Sequence, residues 1–441
     1  MASSREPAGG RSFTLTSAMV CVAFATALSG CARDDSNGQK PADGPDSGGS
    51  AESSTSSGGE PRGGATGGKC LGRRPTMVGT AGDDVIRASP GRDVIATLGG
   101  NDRISGTRKA DVVCAGAGDD VIDDVGTTRL AASVQTNNDI KIDAGPGSDV
   151  VTGDTVGVLD AGGGADRVRV ERDARQVLLG AGDDRLVVRG SVHGSIKPGL
   201  GDDRVSLEGP HELGLYDGPS NCVDYGDATG PVRVDLGAGT ASGMGHDHLE
   251  GVHCVYLGPK DNVAFGSPGR DVIQSARGRT TVYARGGVDD VSTGVGPDRI
   301  DGGPGNDSLF GSDGDDRIYG RSGRDSVEGA AGNDRLYGGP GEDSVIGYRG
   351  ADYLEGGSGN DFLTGGFACD TTVPRGPGAL LDTQPNEVFG GPGNDYLIGD
   401  RGNDRLDGGP GHDEGQPGWR DGRIDRVDSV EVIHEGCAQD F

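Results

Sequence analysis

The chain has 441 residues, of which 87 are glycine, and aromatic residues make up only 4% of it. Its 69 acidic residues exceed its 41 basic residues, so the formal net charge is −28. This composition excludes a thick globular core, which needs many large apolar side chains, and it excludes nucleic acid as a partner because the phosphates would be repelled. It favours a stack of repeats, each held by its neighbours, with a multivalent cation as ligand.

Residues 1–31 have the composition of a bacterial export signal. Arg5 and Arg11 precede an uncharged, mostly apolar stretch at residues 12–27, which is followed by Leu-Ser-Gly-Cys ending at Cys31. These four residues resemble a lipobox, and the resemblance implies that Cys31 is lipidated and becomes the first residue of an exported, extracellular protein at the cell surface. A soluble signal and an uncleaved membrane helix are the alternatives, and the shortness and the Ser and Thr content of the stretch disfavour the helix.

Residues 32–69 are rich in Gly, Ser, Asp and Pro and contain almost no apolar side chain. Such a composition is typical of a flexible tether. A random coil of this length would span roughly 35 Å. The tether would therefore hold the folded part of the chain away from a membrane to which only the lipid at Cys31 attaches it.

A first array of nonapeptides occupies residues 70–126 and starts in frame at Gly79 with GTAGDDVIR, ASPGRDVIA and TLGGNDRIS. The fourth residue is usually glycine, the sixth is always aspartate, and the eighth is Ile or Val. Lys109 replaces the glycine in the unit of Asp111, so we leave Asp111 out of the predicted metal ligands. The predicted ligands of this array are Asp84, Asp93, Asp102 and Asp120.

Residues 127–222 keep the pattern only in part. Residues 127–138 break the frame, which predicts a loop, and full matches then recur with aspartates at Asp149, Asp166, Asp184 and Asp203. The units between these matches keep apolar residues but lose Gly and Asp. We therefore expect the repeat stack to continue through this region with fewer bound ions.

Residues 223–265 separate this region from the next array. The stretches VDY and PVRVDL predict two strands joined by a turn, and SGMGHDHLE is a nonapeptide with Asp247 and Leu249 at its sixth and eighth positions. His246, His248 and His253 raise the alternative of a zinc site, since clustered histidines bind zinc. His246 and His248 fall on the variable fifth and seventh positions, however, which favours ordinary polar residues of the repeat.

Residues 266–364 contain eleven nonapeptides without a slipped residue, among them GGPGNDSLF, GSDGDDRIY and GAAGNDRLY. The fourth residue is always Gly, the eighth is always aliphatic, and the sixth is Asp in every unit except the one with Thr280. A Gly-rich hexapeptide favours a tight turn that exposes carbonyl oxygens, and the last three residues alternate as a short strand does. Calcium prefers about six to eight oxygen ligands, which such turns and their aspartates offer.

The pattern G-G-x-G-x-D-x-U-x is that of the RTX, or hemolysin-type, calcium-binding repeats, which the chain resembles. The resemblance implies an all-β fold in which two nonapeptides form one coil and the coils stack into a parallel β-roll that binds several calcium ions. It also implies that residues 223–265 are a module of the kind that recurs between arrays in such secreted proteins. The implied ligands of the main array are Asp271, Asp289, Asp298, Asp307, Asp316, Asp325, Asp334, Asp343, Asp352 and Asp361.

The repeats resume after residues 365–389, an insertion that contains Cys369 and several prolines. Residues 390–415 hold the final repeats, in which Asp395 and Asp404 are predicted ligands. Asp413 is a weaker candidate because Gly415 replaces the apolar eighth residue, and we expect the roll to end there. Residues 416–441 predict a cap with a closing strand, which would protect the open edge of the sheet from aggregation.

Six cysteines remain besides Cys21, in the signal, and Cys31. An even number in an exported protein predicts three disulfides, although the sequence alone leaves every pairing open. Pairing between sequence neighbours is attractive, because each bond would then brace the end of an array or an insertion. The pairs would be Cys70 with Cys114, Cys222 with Cys254, and Cys369 with Cys437.

The sequence contains no zinc-protease helix motif, no nucleophile elbow and no phosphate-binding loop. Because repeats and insertions cover nearly all of the mature chain, we favour a calcium-binding, non-enzymatic surface lipoprotein with a structural or adhesive role. The alternative is a secreted hydrolase with an unrecognised site in residues 127–216. A screen of the purified protein on ester, peptide and glycoside substrates would separate the two. No residue pattern identifies a protein or surface partner.

Overall fold

The computed structural model describes residues 68–108, 110–126, 140–209, 221–366, 384–400, 402–416 and 426–433. These residues belong to one compact unit, Glu60–Phe441. The predictions for the signal and Cys31, for most of the tether, for the loop at residues 127–138, and for Cys369 and Cys437 lie outside them. The described ranges contain no helix, and therefore no helix among these residues is long and apolar enough to cross a membrane.

Each nonapeptide forms a turn followed by a short strand whose eighth residue points inward. In the strand Arg317–Ser322, Ile318 is fully buried, whereas Arg317 is exposed and Tyr319 is half-buried. Successive side chains of a strand point to opposite faces, so one aliphatic residue per repeat lines the interior. The aliphatic eighth position of the sequence pattern is therefore the core of the fold.

The strands before the inter-array module are β1 (Met77–Val78), β2 (Val85–Arg87), β3 (Val94–Ala96), β4 (Arg103–Ser105), β5 (Val112–Cys114), β6 (Val121–Val125), β7 (Lys141–Asp143), β8 (Val150–Asp160), β9 (Arg167–Ala181), β10 (Arg185–Val188), β11 (Ser195–Leu200) and β12 (Arg204–Leu207). The module contains β13 (Cys222–Tyr225), β14 (Arg233–Asp235), β15 (Thr240–Ser242), β16 (His246–Glu250), β17 (Cys254–Leu257) and β18 (Asn262–Phe265).

The main array contains β19 (Val272–Ser275), β20 (Thr280–Tyr283), β21 (Asp290–Ser292), β22 (Arg299–Pro304), β23 (Ser308–Asp313), β24 (Arg317–Ser322), β25 (Ser326–Ala331), β26 (Arg335–Pro340), β27 (Ser344–Arg349), β28 (Tyr353–Ser358) and β29 (Phe362–Thr364). The last strands are β30 (Glu387–Phe389), β31 (Tyr396–Ile398), β32 (Arg405–Asp407), β33 (Glu414–Gln416), β34 (Arg426–Asp428) and β35 (Val432–Ile433).

Two nonapeptides form one coil, so a strand of the main array pairs in parallel with the strand two places along the chain. Ile300 of β22 lies opposite Ile318 of β24, and Ile318 lies opposite Leu336 of β26. This register stacks the eighth residues of alternate repeats into two columns, and it confirms the predicted all-β, parallel solenoid. The fully buried columns are Ile300, Ile318, Leu336, Leu354, Val388 and Leu406 on one side, and Val291, Leu309, Val327, Val345, Leu363 and Leu397 on the other.

The solenoid continues through residues 140–209, where the repeat pattern is weak. There β8 serves both sides of a coil, because Val151 pairs with β6 while Leu159 pairs with β7. The adjacent β9 follows the whole length of β8 in parallel. Units without the glycine-rich turn thus run on as strand, and their aliphatic side chains join the same core.

Residues 221–265 insert antiparallel pairs into the parallel stack. β15 pairs antiparallel with both β14 and β16, whereas β16 also pairs in parallel with β12. Asp247 and Leu249 of β16 are both buried, at the predicted sixth and eighth positions. The module therefore keeps one coil of the solenoid in register and adds a hairpin to it.

Two of the three disulfides that pairing between sequence neighbours predicts are present. Cys70 is bonded to Cys114 at the end of β5, and Cys222 is bonded to Cys254. The second bond joins neighbouring coils, because Cys222 of β13 lies directly opposite Cys254 of β17.

The stack continues beyond Gly415, where we expected it to end. β33 pairs with β31 and with β35, which places Gly415 between Leu397 and Ile433. A Cβ atom on Gly415 would lie 3.0 Å from Cγ1 of Val430. The chain after the last repeat therefore supplies the apolar side chain that residue 415 lacks, and the ladder of strands goes on.

Candidate metal sites in the turns

The sixth-position aspartates form hydrogen-bonded columns along the solenoid. The backbone N–H of Asp307 donates to Oδ1 of Asp325 at 2.9 Å, and the N–H of Asp325 donates to Oδ1 of Asp343 at 2.9 Å. Each bond joins adjacent coils, so it links repeat n to repeat n+2, as two nonapeptides per coil require. We name such a column an aspartate ladder.

Three long ladders run through the described residues, and one of them, ladder B, contains two neutral residues. Ladder A contains Asp271, Asp289, Asp307, Asp325, Asp343, Asp361, Asp395 and Asp413. Ladder B contains Thr280, Asp298, Asp316, Asp334, Asp352, Asn386 and Asp404. Ladder C contains Asp84, Asp102, Asp120, Asp149, Asp166, Asp184, Asp203 and Asp247. Asp93 and Asp111 form a short fourth column.

Whereas Oδ1 is bonded, Oδ2 of most ladder aspartates is buried without a hydrogen-bond partner. Asp325 and Asp334 are 2% and 1% exposed, and Oδ2 of each has no partner. This atom faces the first glycine of its own repeat. A Cβ on Gly320 would lie 2.6 Å from Oδ2 of Asp325 and 2.6 Å from the carbonyl oxygen of Gly338 in the next coil. The space that the missing Cβ leaves is therefore lined by oxygen atoms.

The fourth-position glycines bring successive turns into direct backbone contact. Gly323 has a φ of +140°, and a Cβ there would clash with the carbonyl oxygen of Gly305 in the preceding coil. Gly341 repeats the arrangement against Gly323. No other residue combines this φ with this close approach, so the glycine holds the turns at the spacing of the strands.

Burial raises the pKa of many ladder carboxyl groups, and neighbouring aspartates raise the pKa of some of them further. The pKa of Asp334 rises to about 8, mainly through burial and then through the charges of Asp352 and Asp316. Burial likewise raises the pKa of Asp184 to about 8 and that of Asp316 to about 7. A cation among these oxygens would relieve both causes, since it would replace the lost hydration and oppose the mutual repulsion.

The donor atoms fit calcium. A buried, unpartnered carboxylate oxygen beside a carbonyl oxygen is unusual in a folded protein and matches the all-oxygen coordination of a hard cation. In the described residues no three His, Cys, Asp or Glu side chains group together as a metal site. Backbone carbonyl oxygens would therefore complete the coordination, with an aspartate from each of two adjacent coils.

A family model described as the RTX calcium-binding nonapeptide repeat (4 copies) matches residues 76–104, 97–123, 265–300, 292–327, 328–363 and 384–414. The chain carries RTX calcium-binding repeats. A search of the curated proteins found no match. Among solved structures, a hyperactive, Ca2+-dependent, beta-helical antifreeze protein from an Antarctic bacterium is 18% identical, with 81% of this chain and 96% of that chain covered and a TM-score of 0.21.

Every RTX aspartate that we predicted as a ligand lies in one of these columns. The columns also contain Asp111, Asp149, Asp166, Asp184, Asp203, Asp247 and Asp413, which we had set aside or ranked lower. Thr280 takes a ladder position: its N–H donates to Oδ1 of Asp298 at 2.6 Å, and its hydroxyl pairs with Ser275. The step from Thr280 to Asp298 is therefore part of the ladder, but it lacks a second carboxylate.

Sequence reasoning missed Asn386 in the insertion. Its Oδ1 accepts the N–H of Asp352 at 2.8 Å, and its own N–H donates to Oδ1 of Asp404 at 2.9 Å. The frame contains the signal, because counting back nine residues from Gly390 gives LDTQPNEVF, with Asn386 sixth and Val388 eighth. Asn386 thus carries ladder B through the insertion without adding a charge.

A second, outer column runs along the fifth positions of the RTX turns. The N–H of Asn333 donates to Oδ1 of Asp315 at 2.8 Å, and the N–H of Ala351 donates to Oδ1 of Asn333 at 3.0 Å. Asn101 and Asp119 make the same bonds in the first array. We had treated this position as variable, and its frequent Asn and Asp residues were the signal.

Polar side chains other than aspartate close the ends of the RTX ladders. The hydroxyl of Tyr225 donates to Oδ2 of Asp247 at 2.7 Å at the end of ladder C. His253 Nδ1 lies 3.1 Å from Oδ1 of Asp271 at the start of ladder A, and this contact raises the pKa of His253. Oε2 of Glu431 accepts the N–H of Asp413 at the other end of ladder A.

These contacts also bear on the zinc alternative. His246 and His248 are exposed on the outer side of β16, whereas His253 is engaged with Asp271. The histidines of the module thus take separate roles in the repeat.

Proposed function

We propose that the protein is a calcium-stabilised scaffold, in which the ions bound along the aspartate ladders hold the coils together. The observation that carries this proposal is the column of buried carboxylate oxygens without partners, set beside carbonyl oxygens of the next coil. Bound calcium supplies positive charge that balances the negative charge of these oxygens. The chain's own residues supply the spacing: the fourth glycine allows the close approach, and the Oδ1 bond aligns each carboxylate with the next.

The same residues explain why the fold would depend on the ion. The interior is a single aliphatic layer, so each coil buries little apolar surface of its own. Several ladder carboxylates stand one above another at the strand spacing of about 4.8 Å, where like charges repel in a medium of low polarity. Structural metal sites couple binding to folding in this way.

Calcium titration of the exported chain, followed by circular dichroism and calorimetry, tests the proposal. We expect β structure to appear with calcium in the range of about 10⁻⁴–10⁻³ M, as in other extracellular calcium modules, and to be lost with chelator. Magnesium is the matched control, because it demands shorter bonds and near-octahedral geometry. A β spectrum and a melting temperature unchanged by chelator would contradict the proposal.

We further propose export and lipid anchoring through Cys31. The bonds Cys70–Cys114 and Cys222–Cys254 support export, because disulfides persist in oxidising compartments. A Cys31→Ala variant should remain a precursor or leave the membrane fraction, while the disulfides form as before. Partition of this variant with membranes to the same extent as the parent would overturn the anchoring.

The role that fits these properties is structural or adhesive. Residues 140–209, which cover much of the region considered for a hydrolase site, are rungs of the same solenoid with their apolar side chains in the common core. The substrate screen named above remains the test of the enzymatic alternative.

A further inference from the structure

The turns of the solenoid occur in two backbone forms that differ at the second residue of the nonapeptide. In one form, which we name the closed turn, a backbone N–H inside the turn donates to Oδ2 of the turn's own aspartate. The N–H of Thr80 donates to Asp84 at 2.6 Å, that of Ser89 to Asp93 at 2.7 Å, and that of Asp400 to Asp404 at 2.9 Å. The turn of Asp271 is closed in the same way by Ser267, and the turn of Asp111 is closed by Arg108, the third residue of its nonapeptide.

In the other form, the open turn, the second residue has a left-handed backbone and Oδ2 has no partner. Ser312 has a φ of 85°, and Oδ2 of Asp316 in the same turn is buried and unpartnered. The second residues with this backbone are Leu98, Gly116, Gly145, Gly162, Gly180, Gly199, Arg285, Gly303, Ser312, Arg321, Ala330, Gly339, Tyr348, Gly357, Gly391 and Gly409. Oδ2 has no partner in the turns of Asp102, Asp120, Asp149, Asp166, Asp184, Asp203, Asp289, Asp307, Asp316, Asp325, Asp334, Asp343, Asp361, Asp395 and Asp413.

Two turns depart from this correspondence. Gly243 is left-handed, but Oδ2 of Asp247 accepts the hydroxyl of Tyr225 from outside the turn. Asp298 has an unpartnered Oδ2 although Gly294 is not left-handed, and its ladder neighbour is Thr280 rather than an aspartate. Both lie at the end of an aspartate run, where the coil on one side offers no carboxylate of the ladder.

The open form is kept even where the side chain opposes it. Arg285, Ser312, Arg321, Ala330 and Tyr348 all hold a positive φ in the main array. A left-handed backbone is costly for residues with a Cβ, and such strain persists in folded proteins where the surroundings impose it, often at binding sites. The closed form satisfies the carboxylate with a hydrogen bond, so the open form needs another source of stabilisation for the same atom.

We propose that the backbone form of the second residue decides which turns bind calcium. This inference rests on calcium as the ligand of the ladders. Open turns present Oδ2 to the ion, whereas closed turns hold it with an internal N–H and bind no ion of their own. Asp84, Asp93, Asp271 and Asp404 are then structural residues, although they share the sequence pattern of the ligands.

The proposal assigns metal sites outside the matched repeats. Asp149, Asp166, Asp184 and Asp203 lie between residues 123 and 265, where the RTX family model finds no repeat. Each is at most 2% exposed and has an open turn. Ladder C therefore binds ions through the irregular middle of the chain, on one side of the solenoid only.

A pair of substitutions at Ser312 tests the rule in the full exported chain. Ser312→Thr should weaken the ion at Asp316 about tenfold, because a β-branched residue resists a positive φ and Thr80 shows threonine in a closed turn. Ser312→Gly is the matched control and should bind as tightly as the parent or more tightly. Calcium calorimetry gives both results, and circular dichroism in excess calcium shows that each variant is folded. Equal calcium binding by the two variants would overturn the rule.

Crystals of the parent chain grown with calcium separate the failure of this rule from the failure of calcium binding. Anomalous scattering should place ions beside the open turns, including those of Asp166 and Asp184, and none beside the closed turns of Asp84 and Asp93. Ions at open and closed turns alike would overturn the rule and leave calcium binding intact. An anomalous map with no ion in any turn would contradict calcium binding, and the rule, which rests on calcium binding, would then fail as well.

Discussion

Glycine at the fourth position of a repeat is required by its neighbour in the preceding coil, not by the turn alone. Gly323→Ala should destabilise the calcium-loaded protein by at least about 2 kcal/mol, because the Cβ adds a left-handed penalty and strikes the carbonyl oxygen of Gly305. Thermal unfolding in saturating calcium measures the effect.

Gly82→Ala is the control, since it changes the same position in the first repeat. Gly82 is not left-handed, and the nearest atom to its Cβ would be Oγ1 of Thr80 at 4.0 Å. We expect a change within about 0.5 kcal/mol. Similar losses for the two variants would mean that glycine matters for the turn itself rather than for the contact between coils.

The residues that could be predicted from the sequence are those whose positions recur in every repeat. Asp325 and Ile318 were predictable, because a ligand position and a core position recur every nine residues and each recurrence strengthens the assignment. The pairing of Tyr225 with Asp247 and of His253 with Asp271 was not, since each occurs once, at a place where a ladder ends. The two turn forms were also hidden, because Ser267 and Ser312 are the same residue at the same position with opposite backbone forms.

At the scale of the coil, the two sides of the main array should bind calcium independently. Ladders A and B run on separate sides, and each step of a ladder joins repeats n and n+2. Asp→Asn is the suitable probe, because Asn386 shows that the amide keeps the Oδ1 bond while the charge is lost. Asp307→Asn with Asp325→Asn alters two consecutive members of ladder A, so the step between them is shared.

Asp307→Asn with Asp316→Asn alters one member of each ladder, and no step is shared. Calorimetric stoichiometry should therefore fall further for this second pair, although its residues are closer in sequence. The single variants supply the reference, and the two pairs carry the same change of charge. An equal or larger loss for Asp307 with Asp325 would place the ions elsewhere than between the turns of n and n+2.

In residues 140–209, the periodicity of the sequence predicts that the stack continues but does not predict the lengths of the strands. The aliphatic residues around β8 and β9 predicted that the stack continues, and it does. The nine-residue frame did not predict strands as long as Val150–Asp160 and Arg167–Ala181, because a unit without glycine has no need to turn. Parallel pairing with the coil before it then determines the path of such a unit.

At the scale of the whole molecule, the ladders link stability to pH. Burial first, and then neighbouring aspartates, raise the pKa of Asp334 and Asp184 to about 8 and of Asp325 to about 6, from an ordinary value of 3.8. A raised pKa means that the folded chain holds protons which the unfolded chain has released. Without calcium, stability should thus be highest near pH 4 and should fall as the pH rises through 6 to 8.

The β signal in circular dichroism, followed in chelator from pH 8 to pH 5, measures this effect, because acid should restore β structure that chelator removes at neutral pH. Exposed acidic residues of a chain with a net charge of −28 act in the same direction, because acid also lowers their repulsion. Salt distinguishes the two contributions, since charges in water are screened beyond about 3 Å at 1 M and buried ones much less. The pH dependence that survives 1 M salt belongs to the ladders, and its absence there would mean that the ladder carboxylates are already ionised in the calcium-free fold.

Calcium should displace these protons, which gives the linkage a second and independent readout. Binding at pH 6 should release protons, because carboxyl groups with a pKa of about 6 to 8 must ionise to bind the cation. At pH 9 the same groups are ionised beforehand, so little should be released. Calorimetry in two buffers of different ionisation enthalpy counts the protons at each pH. Equal release at pH 6 and pH 9 would show that the ladder carboxyl groups hold no protons before calcium binds.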